Sequence, residues 1–94
     1  MFILSLTYVA PLEEADKHME AHMAWLKAGY DQGLFLASGR KVPRTGGVIL
    51  ARGDRAALEA MCADDPFTIH RIARYEIIET AFTTTAPGFE NLEA

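Results

Sequence analysis

The amino terminus alternates large apolar side chains with a mixed set, which predicts a β-strand. Over residues 2–9 the large apolar positions fall on one face: Phe2, Leu4, Leu6 and Tyr8. A period of two is typical of a strand that buries one face against a core, and Pro11 ends the pattern. Three later apolar segments predict further strands, over residues 34–38, 46–51 and 72–82.

Spacing of three to four residues predicts the helices. Residues 12–32 are expected to form one long helix, with acidic side chains in the first turns, where they suit the helix dipole, and Gly33 after its end. Its core-facing stripe is Ala15, Met19, Met23, Leu26 and Tyr30. A shorter helix is predicted after Asp54, a good N-cap residue, with an apolar side made of Ala57, Leu58, Met61 and Cys62.

The predicted order of elements is β-α-β-β-α-β, which indicates an α+β, ferredoxin-like fold. Right-handed crossovers in both β-α-β units give a four-stranded antiparallel sheet with both helices on one face. The other face then needs cover, and a second copy of this short chain is the simplest cover, so we expect a homodimer. We expect a single domain over residues 1–82 and a polar C-terminal tail over residues 83–94.

Composition and charge restrict the class of protein. The chain has 94 residues, half of them hydrophobic and 23% charged, which is ordinary for one globular domain. A net charge of −4 without a long Lys/Arg run is unfavourable for nucleic-acid binding. Residues 1–10 are apolar but shorter than the roughly 20 residues of a membrane helix, and no basic residue precedes Lys17, so we expect neither a membrane span nor a signal peptide. Cys62 is the single cysteine, which fits a cytoplasmic protein.

His22 is the first candidate for chemistry. It lies in the segment AHMAWL, three residues after Met19 and four before Leu26, so it shares their face of the predicted helix. Histidine has an ordinary pKa of about 6.5, so an imidazole that a small ligand can reach is suited to carry protons at neutral pH. The alternative is a histidine at the edge of the core whose ring nitrogens bind backbone groups or water.

Asp65 is the candidate partner of His22. A carboxylate that binds one nitrogen of an imidazole orients the ring and stabilises its charged form. Because Pro66 follows it, Asp65 also has the pattern of a helix N-cap, and capping alone would explain it. The two roles are compatible, since a carboxylate has two oxygens and backbone N–H groups would keep it ionised.

Other chemistries have weaker support. His18 and His22 have the i, i+4 spacing of metal ligands, but Met19 stands where a zincin has Glu, so no metal is expected. Ser38 lies outside any G-x-S-x-G motif, and Cys62 has no obvious histidine beside it. The segment GRKVPRTG either forms a solvated basic loop or attracts an acidic small molecule through Arg40, Lys41 and Arg44.

The order of several short segments resembles the YciI-like family. The segments are FILSLTY, EAHMAWL, GLFLASG, PRTGGVILA, ADDPF and YEIIETAF, which together extend over about residues 2–82. The resemblance implies a ferredoxin-like fold of the dimeric α/β-barrel type, usually a homodimer. It also implies an active site built on a histidine and an aspartate, which match His22 and Asp65, with Ser38 of the SG turn close to the same pocket.

The resemblance leads to an expected function. Some relatives remove halide from chlorinated aromatic breakdown products, and the wider superfamily includes muconolactone isomerase. We therefore expect a cofactor-independent isomerase, lyase or dehydrochlorinase with a His22–Asp65 dyad, acting on a small cyclic or aromatic-derived metabolite. Substrate contacts are expected from Ser38, Gly39 and Arg44. The alternative is a non-catalytic module that binds a small ligand or another protein. Arg40 is a departure, because many relatives have Pro directly after the SG turn.

Overall fold

The structure is a computed structural model that describes residues 1–93. Its strands are β1 (Phe2–Tyr8), β2 (Phe35–Arg40), β3 (Gly46–Ala51) and β4 (Ala73–Glu79). Its helices are α1 (Leu12–Lys17), α2 (Met19–Asp31), α3 (Arg55–Asp64) and α4 (Pro66–Ile69), followed by a short 3-10 helix, Glu90–Leu92.

The strands form one antiparallel sheet in the order β2-β3-β1-β4. The helical connection from β1 to β2 passes over β3, and the connection from β3 to β4 passes over β1. Two interleaved β-α-β units of this kind make the ferredoxin-like arrangement, so the predicted fold class is confirmed.

The helices cover one face of the sheet, and the core lies between the two layers. Three of the four side chains of β1 that point to the helices are at most 4% exposed: Phe2, Leu4 and Leu6. The fourth, Tyr8, is half-buried. One core cluster joins this face to Trp25 of α2 and Leu58 of α3. A second cluster joins it to Ala15 of α1 and Phe67 of α4. Burial of this apolar surface is the main favourable contribution to folding.

The predicted single helix over residues 12–32 is wrong in one respect, because it is interrupted at His18. The backbone of His18 has φ −111° and ψ 8°, outside the range of an α-helix, and it separates α1 from α2. The residues on either side have the spacing and composition of helix, so nothing in the apolar pattern marks the interruption.

Part of the predicted core-facing stripe lies at the edge of the interface between α2 and the sheet. The predicted stripe is correct for Ala15, which is fully buried, but wrong for Met23 and Tyr30, which are 50% and 39% exposed. Trp25 and Gly29 are buried instead. Tyr30 still contacts Phe35 and Ser38 of β2, so the stripe faces the sheet but borders the open edge of the interface.

The ends of two strands also differ from the prediction. β2 begins one residue later than expected and continues through Ser38 and Gly39 to Arg40, so the SG turn is part of a strand. β4 is shorter than the predicted segment 72–82 at both ends. β3 matches the predicted segment 46–51.

The helices α3 and α4 each follow an aspartate, as predicted, but only one of the two carboxylates caps its helix. Asp54 occupies the N-cap position of α3 and makes no capping hydrogen bond with its side chain, whereas Asp65 caps α4. On the predicted apolar side of α3, Leu58 and Cys62 are buried, whereas Ala57 is exposed.

The chain beyond β4 has little regular structure. Phe82 forms an isolated parallel bridge with Glu93, and the 3-10 helix lies between them in sequence. The division into a domain over residues 1–82 and a tail over residues 83–94 stays a prediction. Among the described residues, no helix combines the length and apolar character that a membrane crossing requires.

Gly29 tests the packing of α2 against β2. A Cβ at Gly29 would overlap the ring of Phe35. In a helix interior Ala is otherwise favoured over Gly by about 1 kcal/mol. We expect Gly29→Ala to lower the free energy of unfolding by about 1–3 kcal/mol, the usual cost of overpacking, measured by urea denaturation. Ala24→Gly, at an exposed position of α2, is the control that measures the effect of Ala against Gly on the free energy of unfolding without a packing contact. A Gly29→Ala protein more stable than wild type would contradict the close packing of Gly29 against Phe35.

Candidate active site

His22 and Asp65, 43 residues apart in sequence, are joined by hydrogen bonding at ring Nδ1. The distance from Nδ1 is 2.8 Å to Oδ1 and 3.0 Å to Oδ2 of the carboxylate. His22 lies on α2, one turn after the interruption at His18, and Asp65 is the N-cap residue of α4. The fold thus brings an imidazole from α2 against a carboxylate at the start of α4.

Asp65 is fully buried, and each of its oxygens has hydrogen-bond donors. Oδ1 also accepts the backbone N–H of Phe67 at 3.0 Å, the bond that caps α4. Oδ2 also accepts the Tyr75 hydroxyl at 2.5 Å. Capping and imidazole binding therefore coexist in one carboxylate, and the donors compensate the cost of removing its charge from water.

Tyr75 acts only as a donor in this arrangement. Burial raises the pKa of the Tyr75 hydroxyl, and the negative charge of Asp65 raises it further. The hydroxyl therefore keeps its proton at physiological pH. Tyr75 is paired with Leu6 in the sheet and shares its helix-facing side, so the sheet itself holds one oxygen of the carboxylate.

Aromatic rings fix the plane of the His22 imidazole. The ring of Phe67 stacks on it with centroids 4.1 Å apart and an interplanar angle of 3°. Trp25 also stacks on it, at 5.5 Å and 25°, and is anchored in turn by a 2.8 Å hydrogen bond from Nε1 to the Met61 carbonyl. Phe67 therefore contributes twice, through its N–H to Asp65 and through its ring to His22.

The two ring nitrogens of His22 have different surroundings. Nδ1 faces the carboxylate of Asp65, which only accepts hydrogen bonds when ionised, so Nδ1 carries the proton. Within residues 1–93 no group forms a hydrogen bond with Nε2, and the side chain, 13% exposed, lines a pocket. This arrangement leaves Nε2 able to accept a proton from a ligand, with Asp65 placed to stabilise the imidazolium.

The pocket beside His22 has a volume of about 380 Å³ and lies between α2 and the helix-covered face of the sheet. Part of its floor is Gly47, which is paired with Leu6 and therefore faces the same side. Within 4 Å, a Cβ at Gly47 would meet only the carbonyl oxygen of Gly39, at 3.1 Å. The missing side chain leaves room for a ligand, beneath apolar walls formed by Met19, Met23 and Leu26.

The other residues singled out from the sequence line the same pocket. Ser38 and Gly39 line it from β2, and the Oγ of Ser38 lies 2.7 Å from the Tyr30 hydroxyl. Arg44 lines it from the loop before β3, with Nη2 bound to Asp16 at 2.7 Å. The residues brought together at the pocket are His22, Ser38, Gly39 and Arg44, with Asp65 behind the imidazole.

The sequence pattern does not single out the residues that hold the His22–Asp65 pair in position, which are Tyr75, Phe67 and Trp25. Tyr75 has a period-two spacing that places it on the core side of β4, but that spacing does not indicate its partner. Phe67 follows Asp65 by two residues, which is where an N-cap carboxylate finds its N–H donor, so the sequence could have predicted the hydrogen bond between them. Trp25 follows His22 by three residues, which places both rings on one side of a helix.

The remaining cysteine and histidines have simpler surroundings. Cys62 is 5% exposed in the core, as predicted, and burial, with a smaller effect of the Asp65 charge, raises the pKa of its thiol to about 12. His18 stacks on His70, with ring centroids 4.1 Å apart. Within the described residues, no group of three or more His, Cys, Asp or Glu is arranged to hold a metal ion.

Tyr75→Phe tests the contribution of the sheet to the buried carboxylate. The substitution removes a donor and leaves Asp65 with fewer hydrogen bonds, so we expect the free energy of unfolding at neutral pH to fall by about 1–3 kcal/mol in urea denaturation. Tyr30→Phe is the matched control, because it removes a hydroxyl from an exposed hydrogen bond with neutral Ser38. Equal effects of the two substitutions would contradict the role given to Tyr75.

The difference in free energy of unfolding between wild type and Tyr75→Phe is predicted to depend on pH. The unfolded chain loses the Tyr75 proton near its ordinary pKa of 10.0, whereas the folded protein, with its raised pKa, keeps it. The stabilisation is complete below about pH 10 and is lost as the pH rises, by up to about 1.4 kcal/mol per pH unit. The difference in free energy of unfolding between wild type and Tyr75→Phe should therefore shrink above about pH 10; a constant difference would show that the pKa is not raised.

Comparisons with known proteins agree with this fold. Among solved structures, 5-chloro-2-hydroxyhydroquinone dehydrochlorinase (TftG) from Burkholderia phenoliruptrix AC1100, in complex with 2,5-dihydroxybenzoquinone, is similar with a TM-score of 0.70. The sequences are 16% identical, and the similarity covers 85% of this chain and 93% of that chain. At this level of identity the likeness shows a shared fold. No curated protein matches the sequence significantly.

The family follows from a match along the sequence itself. The family model for the YCII-related domain matches residues 1–81. This range includes all four strands, the helices α1 to α4 and both members of the hydrogen-bonded pair. The chain therefore belongs to the YCII-related domain family.

Proposed function

We propose that this protein is a cofactor-independent enzyme that moves a proton on a small cyclic or aromatic-derived metabolite. The observation that carries the proposal is the environment of His22, whose Nδ1 binds the buried carboxylate of Asp65 while the ring lines a pocket. Reactions that need one base of this kind include isomerisation, lyase-type elimination and dehydrochlorination. We place the protein in the cytoplasm, where a free thiol such as that of Cys62 stays reduced.

His22 is assigned the role of general base. Nε2 takes a proton from the substrate, and the carboxylate of Asp65, 2.8 Å from Nδ1, stabilises the imidazolium that forms. In an isomerisation the proton then returns to a different atom of the same molecule. In a dehydrochlorination the electron pair released by proton removal forms a new double bond, the C–Cl bond breaks, and chloride leaves with the electrons of that bond.

Ser38 and Gly39 are assigned the role of binding a polar oxygen of the substrate. The hydroxyls of Ser38 and Tyr30, 2.7 Å apart, can each donate or accept a hydrogen bond. Ser38 and Gly39 line the pocket on β2, whereas His22 lines it on α2. A substrate bound between them would have its oxygen and its reacting C–H or O–H group held by different layers of the fold.

The dimensions of the pocket support a small substrate. Ligand pockets in proteins typically have volumes of about 300–1,000 Å³, so a volume of about 380 Å³ fits a molecule with a single ring. The methionine and leucine side chains of α2 provide apolar surface for such a ring. Because the similar solved structure contains 2,5-dihydroxybenzoquinone, hydroxylated quinones are the first probes to use.

A turnover assay with matched variants tests the proposal. Wild-type protein is incubated in D₂O with 5-chloro-2-hydroxyhydroquinone, other hydroxyquinols and enol-lactones, and proton NMR follows both product and deuterium incorporation. For a converted compound we expect His22→Asn to lower kcat by about 10²–10⁴-fold, the usual contribution of a general base. We expect Asp65→Asn to lower it as well, because an amide does not stabilise the imidazolium. His70→Asn, at an exposed position outside the pocket, should keep wild-type turnover.

Two results would overturn this assignment. Full turnover by both the His22→Asn and the Asp65→Asn proteins would remove the pair from the reaction. A compound that binds in the pocket of the wild type and stays unchanged, without deuterium incorporation, after prolonged incubation would favour a non-catalytic module that binds a small ligand.

We also propose that the protein forms a homodimer through the sheet face that the helices leave open. One row of apolar residues crosses all four strands on this face: Ala37, Leu50, Ile3 and Ile78. Ile78 is 42% exposed in the single chain, and Val48 on the same face is 38% exposed. Apolar sheet faces of this kind commonly pack against a second sheet, which in a homodimer is that of the other copy.

Light scattering coupled to gel filtration tests the dimer. We expect the wild type to have twice the mass of the 10.4 kDa chain, and Ile78→Glu to shift the mass towards one chain, because a buried, unpaired carboxylate is unfavourable. Ile69→Glu is the matched control, since Ile69 is 60% exposed on α4, which packs against the opposite face. A monomeric wild-type protein at micromolar concentration would refute the proposed dimer.

A further inference from the structure

The charge of the pocket is opposite to that of the whole chain. The chain has 9 Lys and Arg against 13 Asp and Glu, a net charge of −4. The residues that line the pocket include Arg40 and Arg44 and no Asp or Glu. Asp65, the nearest carboxylate to His22, is buried behind the imidazole and is already bound by its donors. The pocket therefore presents positive charge to a ligand in an otherwise acidic protein.

Arg44 contributes little of this charge to a ligand. Its Nη2 binds the carboxylate of Asp16 at 2.7 Å, which neutralises the guanidinium locally. The guanidinium carbon of Arg44 also lies 5.9 Å from the centre of the Tyr8 ring, a cation–π arrangement. These contacts hold Arg44 in the wall of the pocket.

Arg40 is different, because its guanidinium is not engaged by the protein. Within residues 1–93 it forms no side-chain hydrogen bond and no ion pair, and it is exposed at the end of β2. It is paired with Gly47, which puts its side chain on the helix-covered side of the sheet, where the pocket lies. A guanidinium offers a fork of N–H donors that matches the two oxygens of a carboxylate.

We propose that Arg40 binds a carboxylate of the substrate, so that the pocket selects single-ring organic acids over their neutral counterparts. The sheet register supports this placement, because Arg40, Gly47, Leu6 and Tyr75 form one row across the four strands. The Cα atoms of Arg40 and Tyr75 are three strand spacings apart, a distance of about 14 Å. Arg40 lies at one end, and Tyr75, which holds the His22–Asp65 pair, lies at the other. Gly47 leaves space for the ring between them.

This inference deepens the proposed function, since it rests on that function for the position of the reacting group near His22. The carboxylate would be held at the β2 edge while the ring carries its reacting atom towards Nε2. Arg40 would then be a specificity-determining residue, with its effect on the binding of acids and not on the chemistry of the base.

Binding of matched acid and amide probes tests the inference without any turnover. The dissociation constants of 2,5-dihydroxybenzoate and 2,5-dihydroxybenzamide are measured by NMR titration with the wild type, Arg40→Gln, Arg40→Lys and Arg52→Gln proteins. Arg52 follows β3, is exposed and lies outside the pocket, so Arg52→Gln makes the same change of net charge elsewhere. The amide reports whether each variant keeps an intact pocket.

We expect the wild type to bind the acid at least about tenfold more tightly than the amide. Arg40→Gln should remove this preference and leave the affinity for the amide unchanged, while Arg40→Lys, which keeps the charge without the fork, should have an intermediate preference. Arg52→Gln should match the wild type. Added salt should weaken binding of the acid only.

Three results would overturn the inference: equal affinity of the wild type for acid and amide, an acid preference that survives Arg40→Gln, or no binding of the acid up to millimolar concentration. The outcome is separable from that of the proposed function. If the acid preference depends on Arg40 and persists in the His22→Asn protein, the role of Arg40 is supported even when His22→Asn keeps full turnover. Loss of turnover in His22→Asn would likewise stand if Arg40→Gln left the acid preference unchanged.

Discussion

The carboxylate of Asp65 has no contact with solvent and receives hydrogen bonds from three parts of the fold. The imidazole of His22 comes from α2, the N–H of Phe67 from the first turn of α4, and the hydroxyl of Tyr75 from β4. Removing a carboxylate from water costs several kcal/mol, so this charge is tolerated only with its donors in place. The contacts that tie α2, α4 and β4 together at Asp65 therefore also orient the imidazole.

The pocket arises because the sheet lacks side chains where the helix α2 passes over it. At Gly46 a Cβ would overlap the carbonyl oxygen of Leu6, so the close approach of β3 to β1 requires glycine. At Gly47 a Cβ would meet within 4 Å only the carbonyl oxygen of Gly39, at 3.1 Å, and the missing side chain leaves room at the floor of the pocket. The register that builds the core of the sheet thus also places the cleft, with His22 on one side of it and Arg40 at the edge.

Sequence periodicity predicts the four strands and the helices between them, because alternation and helical spacing report local burial. The topology follows from their order and from the rule of right-handed crossovers. Periodicity fails at His18, where the apolar spacing continues although the backbone leaves the helix. It also places Met23 in the core, although Met23 lines the open pocket, and it does not indicate that Trp25 is buried. The contact of His22 with Asp65 has no local signal, because the residues are 43 positions apart. Chemistry alone makes Asp65 a candidate partner with capping as the alternative, and the resemblance to the family favours the pair.

The central claim is that the buried carboxylate holds the proton of the neutral His22 ring on Nδ1 and leaves Nε2 free for a ligand. A long-range ¹H–¹⁵N correlation spectrum of the imidazole rings measures this directly, since the two nitrogens of each neutral tautomer have different chemical shifts. The predicted result is a His22 ring protonated at Nδ1, with this tautomer lost in Asp65→Asn and absent from the exposed His70. A His22 ring protonated at Nε2, or a tautomer that Asp65→Asn does not change, would contradict the claim.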